Sequence, residues 1–374
     1  MKIESVRIAG FKNLKGLQLE LGSGVNGFWG ENGQGKSNLL EALYVSVKGT
    51  SFRPYSHRAD WLPDDATTLL VCVSCRDDIG LLYECEMFYD PTAQSWTWKL
   101  NDKKARVPAL AEKIPIVVFS PDDHALIREG PDHRRRFLDS VLVDVCPGYS
   151  EVLGRFEKVL KSRNRLLKQY QREDISDYTA EMDSWSRTLA VEAEGVAMLR
   201  REVWPRFHGY FQQVAGPLFE ALSGTVDLHF EQDSVEKSEA FNKVNYYQVL
   251  KTEYRKDLAT GWTHRGPHRD DFRTEVGGVE ARTKASQGQA RLLALSLKWT
   301  HALWVSLERR EIPLFLIDDF SNELDILRRK KLLEMLGQIS GQILITGTDS
   351  NTILAANFAE YRHFNVKRGE ISPA

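Results

Sequence analysis

The stretch "FWGENGQGKSNLLEALY", residues 28–44, decides the fold. Gly30 is followed, after four residues, by "GKS" at 35–37, which is the spacing of a P-loop. Glycines let backbone N–H groups turn inward around phosphate oxygens, and the next helix directs its positive dipole end at the same place. A strand pattern precedes the loop and an amphipathic helix pattern follows it, as the motif requires. The stretch therefore predicts a site for nucleotide phosphates.

The polar residues of the loop and of a later strand have expected roles. Lys36 is expected to reach the β- and γ-phosphates, and the Ser37 hydroxyl to hold Mg²⁺. The buried run "IPLFLIDDF" supplies a second anchor, because carboxylates at the carboxyl end of a parallel strand lie beside the nucleotide. We assign Asp318 to Mg²⁺ and Asp319 to orienting the attacking water; the alternative is an acidic pair that caps a strand. The predicted nucleotide contacts of the loop are Gly30, Glu31, Asn32, Gly33, Gln34, Gly35, Lys36 and Ser37.

Composition sets limits but names no partner. The 374 residues suit two domains, or one domain with a large insertion, and the net charge of −2 argues neither for nor against nucleic acid. No apolar run approaches the roughly 18 residues of a membrane span, and the N-terminus lacks a signal-peptide pattern, so we expect a cytoplasmic protein without a membrane partner. Cys72 and Cys75 have C-x-x-C spacing, but they lie in a strand pattern and would face opposite ways, which disfavours zinc.

A second motif decides between the possible uses of a nucleotide. "KASQGQARLLALSL", from Lys284, places Ser286 and Gly288 at the start of a helix, where Ser286 can cap it and Gly288 permits close backbone approach. An ordinary capped helix is the alternative. Beside a P-loop, the motif resembles the signature of ABC-type ATPases, in which the signature of one chain closes over the γ-phosphate held by another.

Two shorter segments extend that resemblance. "SNELD", residues 321–325, resembles the D-loop that crosses the dimer interface, which brings Asp325 to the nucleotide site, although Asn322 replaces the usual Ser. "ITGT" stands where transporter ATPases carry a switch histidine, and Thr346 or Thr348 is our candidate for sensing phosphate in its place.

The strand and helix patterns indicate an α/β fold with a mainly helical insertion. Strand patterns fill the first 30 residues, and the last stretch alternates strand with helix, which implies a parallel sheet covered on both faces. Long helical patterns run between about Asp132 and Gly224. We expect an ATPase lobe formed by residues 1–125, with the P-loop, and 261–374, with the signature and D-loop. Residues 126–260 form the inserted lobe.

The whole chain resembles the RecF family of bacterial recombination mediators, which is related to SMC-type heads. "FSPDD" with "RRRFLD", and "GPHRDD", are specific to that family, whereas most P-loop proteins lack them. Lys12, Ser37 and His124 stand where Arg, Thr and Leu are more usual, and none of these changes removes a catalytic group type. The other matching segments are "GFKNL", "GENGQGKSNLLEALY", "GTSFR", "SQGQARLLALSLK", "LIDDFSNELD" and "ILITGT".

The resemblance implies a function as well as an ABC-type, SMC-like ATPase head. It implies an ATP-dependent homodimer with Mg²⁺, slow ATP hydrolysis, and binding to double-stranded DNA near single-strand gaps. It also implies work with RecR and RecO to place RecA. By the same resemblance, Lys12 and Asn13 of "GFKNL" join the nucleotide site.

Basic residues suggest where DNA binds. The clearest local excess of cations lies in one predicted helix, where we single out Arg163, Arg165 and Lys168, although its cations spread around much of the circumference and a solvated face is the alternative. Arg53 in "GTSFR" is a further candidate, since the counterpart region of SMC-like heads links DNA to ATPase activity. Arg269 is expected to pair with a neighbouring aspartate or with phosphate.

Three other functions remain as alternatives. A transporter ATPase subunit would have a shorter distance from P-loop to signature and a switch histidine. A small-molecule kinase would need neither signature nor D-loop. Another SMC-like ATPase would usually add a nuclease domain or a long coiled coil. Stimulation of the ATPase rate by duplex DNA separates the RecF-type function from these.

Overall fold

The computed structural model describes residues 1–62, 68–220, 224–233, 241–319, 341–350, 358 and 360–374. The chain forms two compact units, Met1–Asp123 with His301–Ala374, and His124–Thr300. The first boundary lies close to the expected one, but the second lies at Thr300 and not at residue 260. The reason is strand pairing: Asp271–Val276 pairs with Val226–Glu231 and so belongs to the inserted unit.

The helices and strands are numbered along the chain. The strands are β1 (Lys2–Phe11), β2 (Leu14–Glu20), β3 (Val25–Trp29), β4 (Leu69–Arg76), β5 (Leu82–Asp90), β6 (Ser95–Leu100), β7 (Lys103–Ala105), β8 (Ile116–Phe119), β9 (Val226–Glu231), β10 (Asp271–Val276), β11 (Val279–Glu280), β12 (Leu314–Ile317), β13 (Ile343–Gly347), β14 (Tyr361–Lys367) and β15 (Glu370–Pro373). The helices are α1 (Lys36–Lys48), α2 (Val107–Lys113), α3 (Ala125–Arg128), α4 (Pro131–Val145), α5 (Tyr149–Glu173), α6 (Ala180–Glu220), α7 (Lys243–Thr252), α8 (Tyr254–Thr260), α9 (Ala281–Lys284) and α10 (Gln287–Arg309).

The predicted parallel sheet is confirmed in the first unit. Its order is β15-β14-β3-β13-β12-β8, and every pair is parallel except the one that β15 forms at the edge. All residues of β3, β8, β12 and β13 are buried, as expected for strands covered on both faces. The carboxyl ends of β3, β13 and β12 therefore lie side by side at one edge.

An antiparallel sheet, in the order β2-β1-β4-β5-β6-β7, packs on the other side of α1. Leu40 of α1, Val71 of β4 and Leu344 of β13 belong to one hydrophobic core, so the P-loop helix lies between the two sheets. Burial alternates along β4, and Cys75 is buried while Cys72 is half-buried. The expectation that these cysteines face opposite ways is confirmed.

The second unit is mainly helical, as expected. Helix α5 packs along α6, which also contacts α7, and a small antiparallel sheet has the order β11-β10-β9. The predicted hairpin at Gly277 and Gly278 is confirmed, because Val276 pairs with Val279 and both glycines have positive φ. Among the described helices, none combines the length and apolar character that a membrane span needs.

Arg163 of α5 is a buried structural residue, so the interpretation of Arg163 as a DNA contact is wrong. Its side chain is 0% exposed. Its Nη1 donates to the Asp257 carboxylate at 2.8 Å and to the Thr263 hydroxyl at 2.6 Å, and its Nε donates to the Ser186 hydroxyl at 3.1 Å. Arg165 is exposed and Lys168 partly exposed, and their contacts with DNA stay predictions.

A second buried network fixes the "GPHRDD" segment. The Arg134 guanidinium donates to both oxygens of Asp271, at 2.7 and 2.8 Å. Arg200 of α6, which the sequence did not point to, donates to Asp270 at 3.0 Å and to Asp139 at 2.6 Å. Burial raises the pKa of Asp270 to about 6, and Arg200 works against that rise. Other arginines thus hold the two aspartates that Arg269 was expected to pair with.

Replacing Arg163 by Ala should lower the free energy of unfolding by about 3–5 kcal/mol, because the buried Asp257 carboxylate would lose its guanidinium partner and keep, among the described residues, only its contacts with His264. The matched control is Arg165→Ala on the exposed side of the same helix, which should stay within about 0.5 kcal/mol of wild type. Urea denaturation followed by tryptophan fluorescence measures both. Equal stability of the two variants would contradict a structural role for Arg163.

Candidate active site

The P-loop follows β3 at the carboxyl edge of the parallel sheet. Gly35 caps α1 with a left-handed φ of 112°, a conformation that side chains rarely adopt. At Gly30, a Cβ would come within 2.2 Å of the Val366 carbonyl oxygen, so only glycine fits. The loop can therefore turn its backbone N–H groups towards the start of α1, as the spacing predicts.

Lys36 curls back over the loop. Its Nζ donates to the carbonyl oxygens of Gly30 and Glu31, at 2.7 and 2.8 Å, and the residue is only 6% exposed. Burial lowers the pKa of Lys36, while the charges of Asp318 and Asp319 act to raise it. A cation is thus held among the backbone groups of the loop, with two carboxylates as its nearby counter-charges.

The carboxylate at the end of β12 meets the P-loop helix as predicted. Asp318 Oδ1 accepts a hydrogen bond from the Thr346 hydroxyl at 2.8 Å, and the Ser37 hydroxyl donates to the same carboxylate. The Asp319 N–H donates to the Thr346 hydroxyl at 2.9 Å. Burial raises the pKa of Asp318, and the two hydroxyls oppose that rise. Ser37, Asp318 and Thr346 therefore form one hydrogen-bonded group that joins the start of α1 to the ends of β12 and β13.

Glu41 of α1 is a site residue that the sequence reasoning missed. It is 0% exposed, and its carboxylate binds Lys12 Nζ at 2.6 Å and Arg53 Nη1 at 3.2 Å. The Ser51 hydroxyl donates to it at 2.8 Å, and the Ser56 hydroxyl donates as well. One buried carboxylate thereby fastens residues 51–56 and the turn after β1 to the P-loop helix. An acidic residue in the predominantly apolar pattern of α1 was the available signal.

Arg53 and Asn13 also lie against the P-loop helix. Arg53 Nη1 donates to Asn38 Oδ1 at 3.1 Å, and its Nη2 lies 3.9 Å from Asp318 Oδ2. Asn38 Nδ2 donates to Asn13 Oδ1 at 2.8 Å, and the Asn13 side chain borders Gly35. Lys12, Asn13 and Arg53 are thus gathered at the site, although contacts with nucleotide or DNA stay predictions.

The predicted cap of the signature helix is confirmed within the second unit. The Gln289 N–H donates to Ser286 Oγ at 3.2 Å, and the Ser286 N–H donates to Gln289 Oε1 at 2.7 Å. This reciprocal pair is a capping box at the start of α10. Ser286 is exposed and Gly288 partly so, which leaves the helix end accessible. The D-loop prediction, including Asp325 and Asn322, lies outside the described residues.

Comparison with known proteins identifies the family. A family model described as AAA domain matches residues 5–64. The chain is 32% identical over 378 residues to the DNA replication and repair protein RecF of Shewanella pealeana, with 100% of this chain and 99% of that protein covered. This chain belongs to the RecF family. The resemblance inferred from "FSPDD", "RRRFLD" and "GPHRDD" is confirmed.

Solved structures agree with the predicted fold class. The recombination mediator protein RecF-ATP of the RecFOR pathway matches with a TM-score of 0.89 at 27% identity, covering 100% of this chain and 97% of that one. The Smc head domain of Pyrococcus furiosus matches with a TM-score of 0.56 at 15% identity, covering 100% and 96%, which shows a shared fold alone. The chain therefore has the fold of a P-loop ABC-type ATPase head, which it shares with SMC heads.

Glu41→Gln should loosen residues 51–58. The amide keeps the shape of the side chain but removes the charge that holds Lys12 and Arg53, so local opening becomes easier. Backbone amides of this segment should exchange hydrogen roughly 10- to 100-fold faster, measured by mass spectrometry. Glu84→Gln, on an exposed position of β5, is the control and should change nothing there. Unaltered exchange in the Glu41 variant would contradict the role of Glu41 in holding this segment to the P-loop helix.

Proposed function

We propose that this RecF-family protein binds ATP and serves recombinational DNA repair as an ATP-controlled switch. The observation that carries the proposal is the convergence of Lys36, Ser37 and Asp318 at the sheet edge where the P-loop ends. The Lys36 amine, now satisfied by two loop carbonyls, would donate to the β- and γ-phosphates instead. A full-length relative named for DNA replication and repair, and a solved relative with ATP, support this assignment.

The donor set at this edge fits Mg²⁺. The Ser37 hydroxyl and the Asp318 carboxylate already share a hydrogen bond, and both are hard oxygen ligands of the kind that this ion prefers. We propose that these two residues hold Mg²⁺, which when bound neutralises phosphate charge. Thr346 would keep the Asp318 carboxylate oriented, and its hydroxyl links that carboxylate to the backbone of Asp319.

Hydrolysis is proposed to be slow and to need two chains. Asp319 would orient the attacking water, because it follows Asp318 directly and its backbone is tied to Thr346. The capped start of α10, with Ser286 and Gly288, would close over the γ-phosphate of a second copy. Asp325 would contribute from the D-loop. Such a site is complete only in the ATP-bound homodimer, which makes the nucleotide a clasp between chains.

The proposed ligand of the dimer is double-stranded DNA next to single-strand gaps, and DNA would stimulate hydrolysis. Arg53 is a proposed link, since its guanidinium lies between Glu41 and Asp318 and is partly exposed. The solved relative belongs to the RecFOR pathway. We therefore propose that this chain works with RecR and RecO to place RecA.

ATP should convert the protein from monomer to dimer. If each of two nucleotides is about 100-fold above its dissociation constant, linkage supplies about 2.7 kcal/mol per site, or about 5.4 kcal/mol in total. That free energy moves an equilibrium from about 1:99 to about 99:1. Analytical ultracentrifugation without nucleotide, with ADP and with ATP measures the change, and Lys36→Met is the control that should stay monomeric. One sedimentation coefficient under all conditions would exclude the clasp.

Two inactive variants should restore activity when mixed. Lys36→Met removes the phosphate lysine, and Ser286→Arg puts a bulky cation where the signature meets the γ-phosphate, so each homodimer has two damaged sites. In the mixed dimer one site has both defects, while the other has an intact P-loop and an intact signature. Phosphate release should therefore return in the mixture and rise steeply with concentration.

The control for this experiment is the mixture of wild type with each variant at matched total protein. A result would overturn the two-chain site if Ser286→Arg alone hydrolysed ATP like wild type, at a rate per chain independent of dilution. One chain would then complete its own site, and a kinase-like arrangement would have to be considered again.

A further inference from the structure

The exposed cations of α5 form one stripe. The excess of basic residues looked dispersed because it included Arg163, which is buried, and Arg155, which pairs with Glu192 at 3.1 Å. At about 3.6 residues per turn, the remaining side chains fall within an arc of about 80°, along about 21 Å of helix. The members of this stripe are Lys158, Lys161, Arg165, Lys168 and Arg172.

The stripe points away from the core of the second unit. The buried residues of α5 that lie opposite include Phe156, Leu167 and Tyr170. Four members of the stripe are exposed and Lys168 is partly exposed. Within the described part of the chain, no carboxylate forms an ion pair with any of the five, and only Glu157 borders their N-terminal end. The stripe therefore keeps its charge available for an external anion.

An exposed aromatic ring stands beside the stripe. Trp262 is 52% exposed, and Lys168 Nζ lies 3.3 Å from the centre of its ring. Gly261 precedes it in a left-handed conformation, with φ of 75°, and a Cβ there would come within 2.6 Å of Gln171 Oε1. The turn that carries Trp262 is thus pressed directly against α5.

Buried hydrogen bonds hold that turn rigid. Asn164 Oδ1 accepts from the N–H and the hydroxyl of Thr263, at 2.9 and 2.7 Å. Arg163 binds Thr263 and Asp257 from beneath, and Gln171 Nε2 donates to the Ala259 carbonyl at 2.9 Å. Because both neighbours of Trp262 are fixed, binding does not have to order the backbone that carries the ring.

We infer that the α5 stripe and Trp262 form a nucleic-acid surface for the junction between duplex and single-stranded DNA. Cations spaced along the helix match the repeated charge of a phosphate backbone, and an exposed ring among cations can stack an unpaired base. The inference rests on the proposed DNA function and goes beyond it, since it assigns the gap preference to one residue and the charge contacts to one helix face.

The test measures DNA affinity by fluorescence anisotropy over a range of salt concentrations, with full-length protein and ATP. The probes are a labelled duplex with an oligothymidine gap and its fully paired counterpart. Lys161→Gln with Arg165→Gln should reduce the slope of log affinity against log salt by about 1.8 on both probes, at about 0.9 per lost phosphate contact. Lys103→Gln with Lys104→Gln, on exposed positions of β7, is the control and should keep the wild-type slope.

Trp262→Ala should weaken binding to the gapped probe roughly 5- to 150-fold, the equivalent of losing one base stack, and leave the paired probe within about twofold. Trp262→Phe keeps an aromatic face and should retain most of the affinity. Circular dichroism checks that each variant is folded. If the Trp262→Phe and Trp262→Ala variants lose the same affinity for the gapped probe, base stacking on Trp262 is contradicted.

Other outcomes separate this inference from the function on which it rests. If the Lys161/Arg165 variant binds DNA as tightly as wild type and with the same salt slope, the stripe does not contact DNA, although the proposed DNA function stands. An acidic protein would then be the better occupant of the stripe. Wild-type protein that binds neither probe overturns the proposed DNA function together with the stripe.

Discussion

The interaction on which the rest of the site depends is the hydrogen bonding of the buried Asp318 carboxyl group to two hydroxyls. Burial alone would favour the protonated carboxyl. The hydroxyls of Ser37 and Thr346 favour the carboxylate, and each comes from a different element. This is possible only because β3, β13 and β12 are parallel neighbours and end at one edge. The strand order therefore brings the partners of one buried carboxyl group together as well as the apolar core.

The loop lysine, Lys36, is likewise enclosed and held by polar partners. Lys36 loses hydration, two backbone carbonyls accept its hydrogen bonds instead, and the charges of Asp318 and Asp319 act on it as well. A group already stripped of water has little reorganisation to undergo when a phosphate replaces the carbonyls, which is how preorganised sites gain charge stabilisation. Glu41 extends this arrangement by one layer, because it fixes the cations of the adjoining segments before any ligand arrives.

Local patterns predicted more of this protein than charge counts did. The P-loop, the Asp318 position, the Ser286 cap and the hairpin at Gly277 each follow from residues that are close in sequence. The prediction that Arg163 contacts DNA was wrong because its partner, Asp257, lies 94 residues away, so no local pattern could reveal the pair. Helical spacing gave some indication that Arg163 is buried, since it falls on the same face of the helix as Leu167 and Tyr170. The boundary at Thr300 was missed for a similar reason, since it depends on pairing between distant strands.

The group of contacts around the Glu41 carboxylate has a consequence for how this sequence can vary. A single carboxylate serves Lys12, Ser51, Arg53 and Ser56, so the effect of changing one donor depends on which others remain. The losses of stability caused by substituting Lys12 and Arg53 should not add. The second substitution removes a partner from a carboxylate that has already lost one. These positions form an epistatic group, and a tolerated substitution at one of them changes which residues the others can accept.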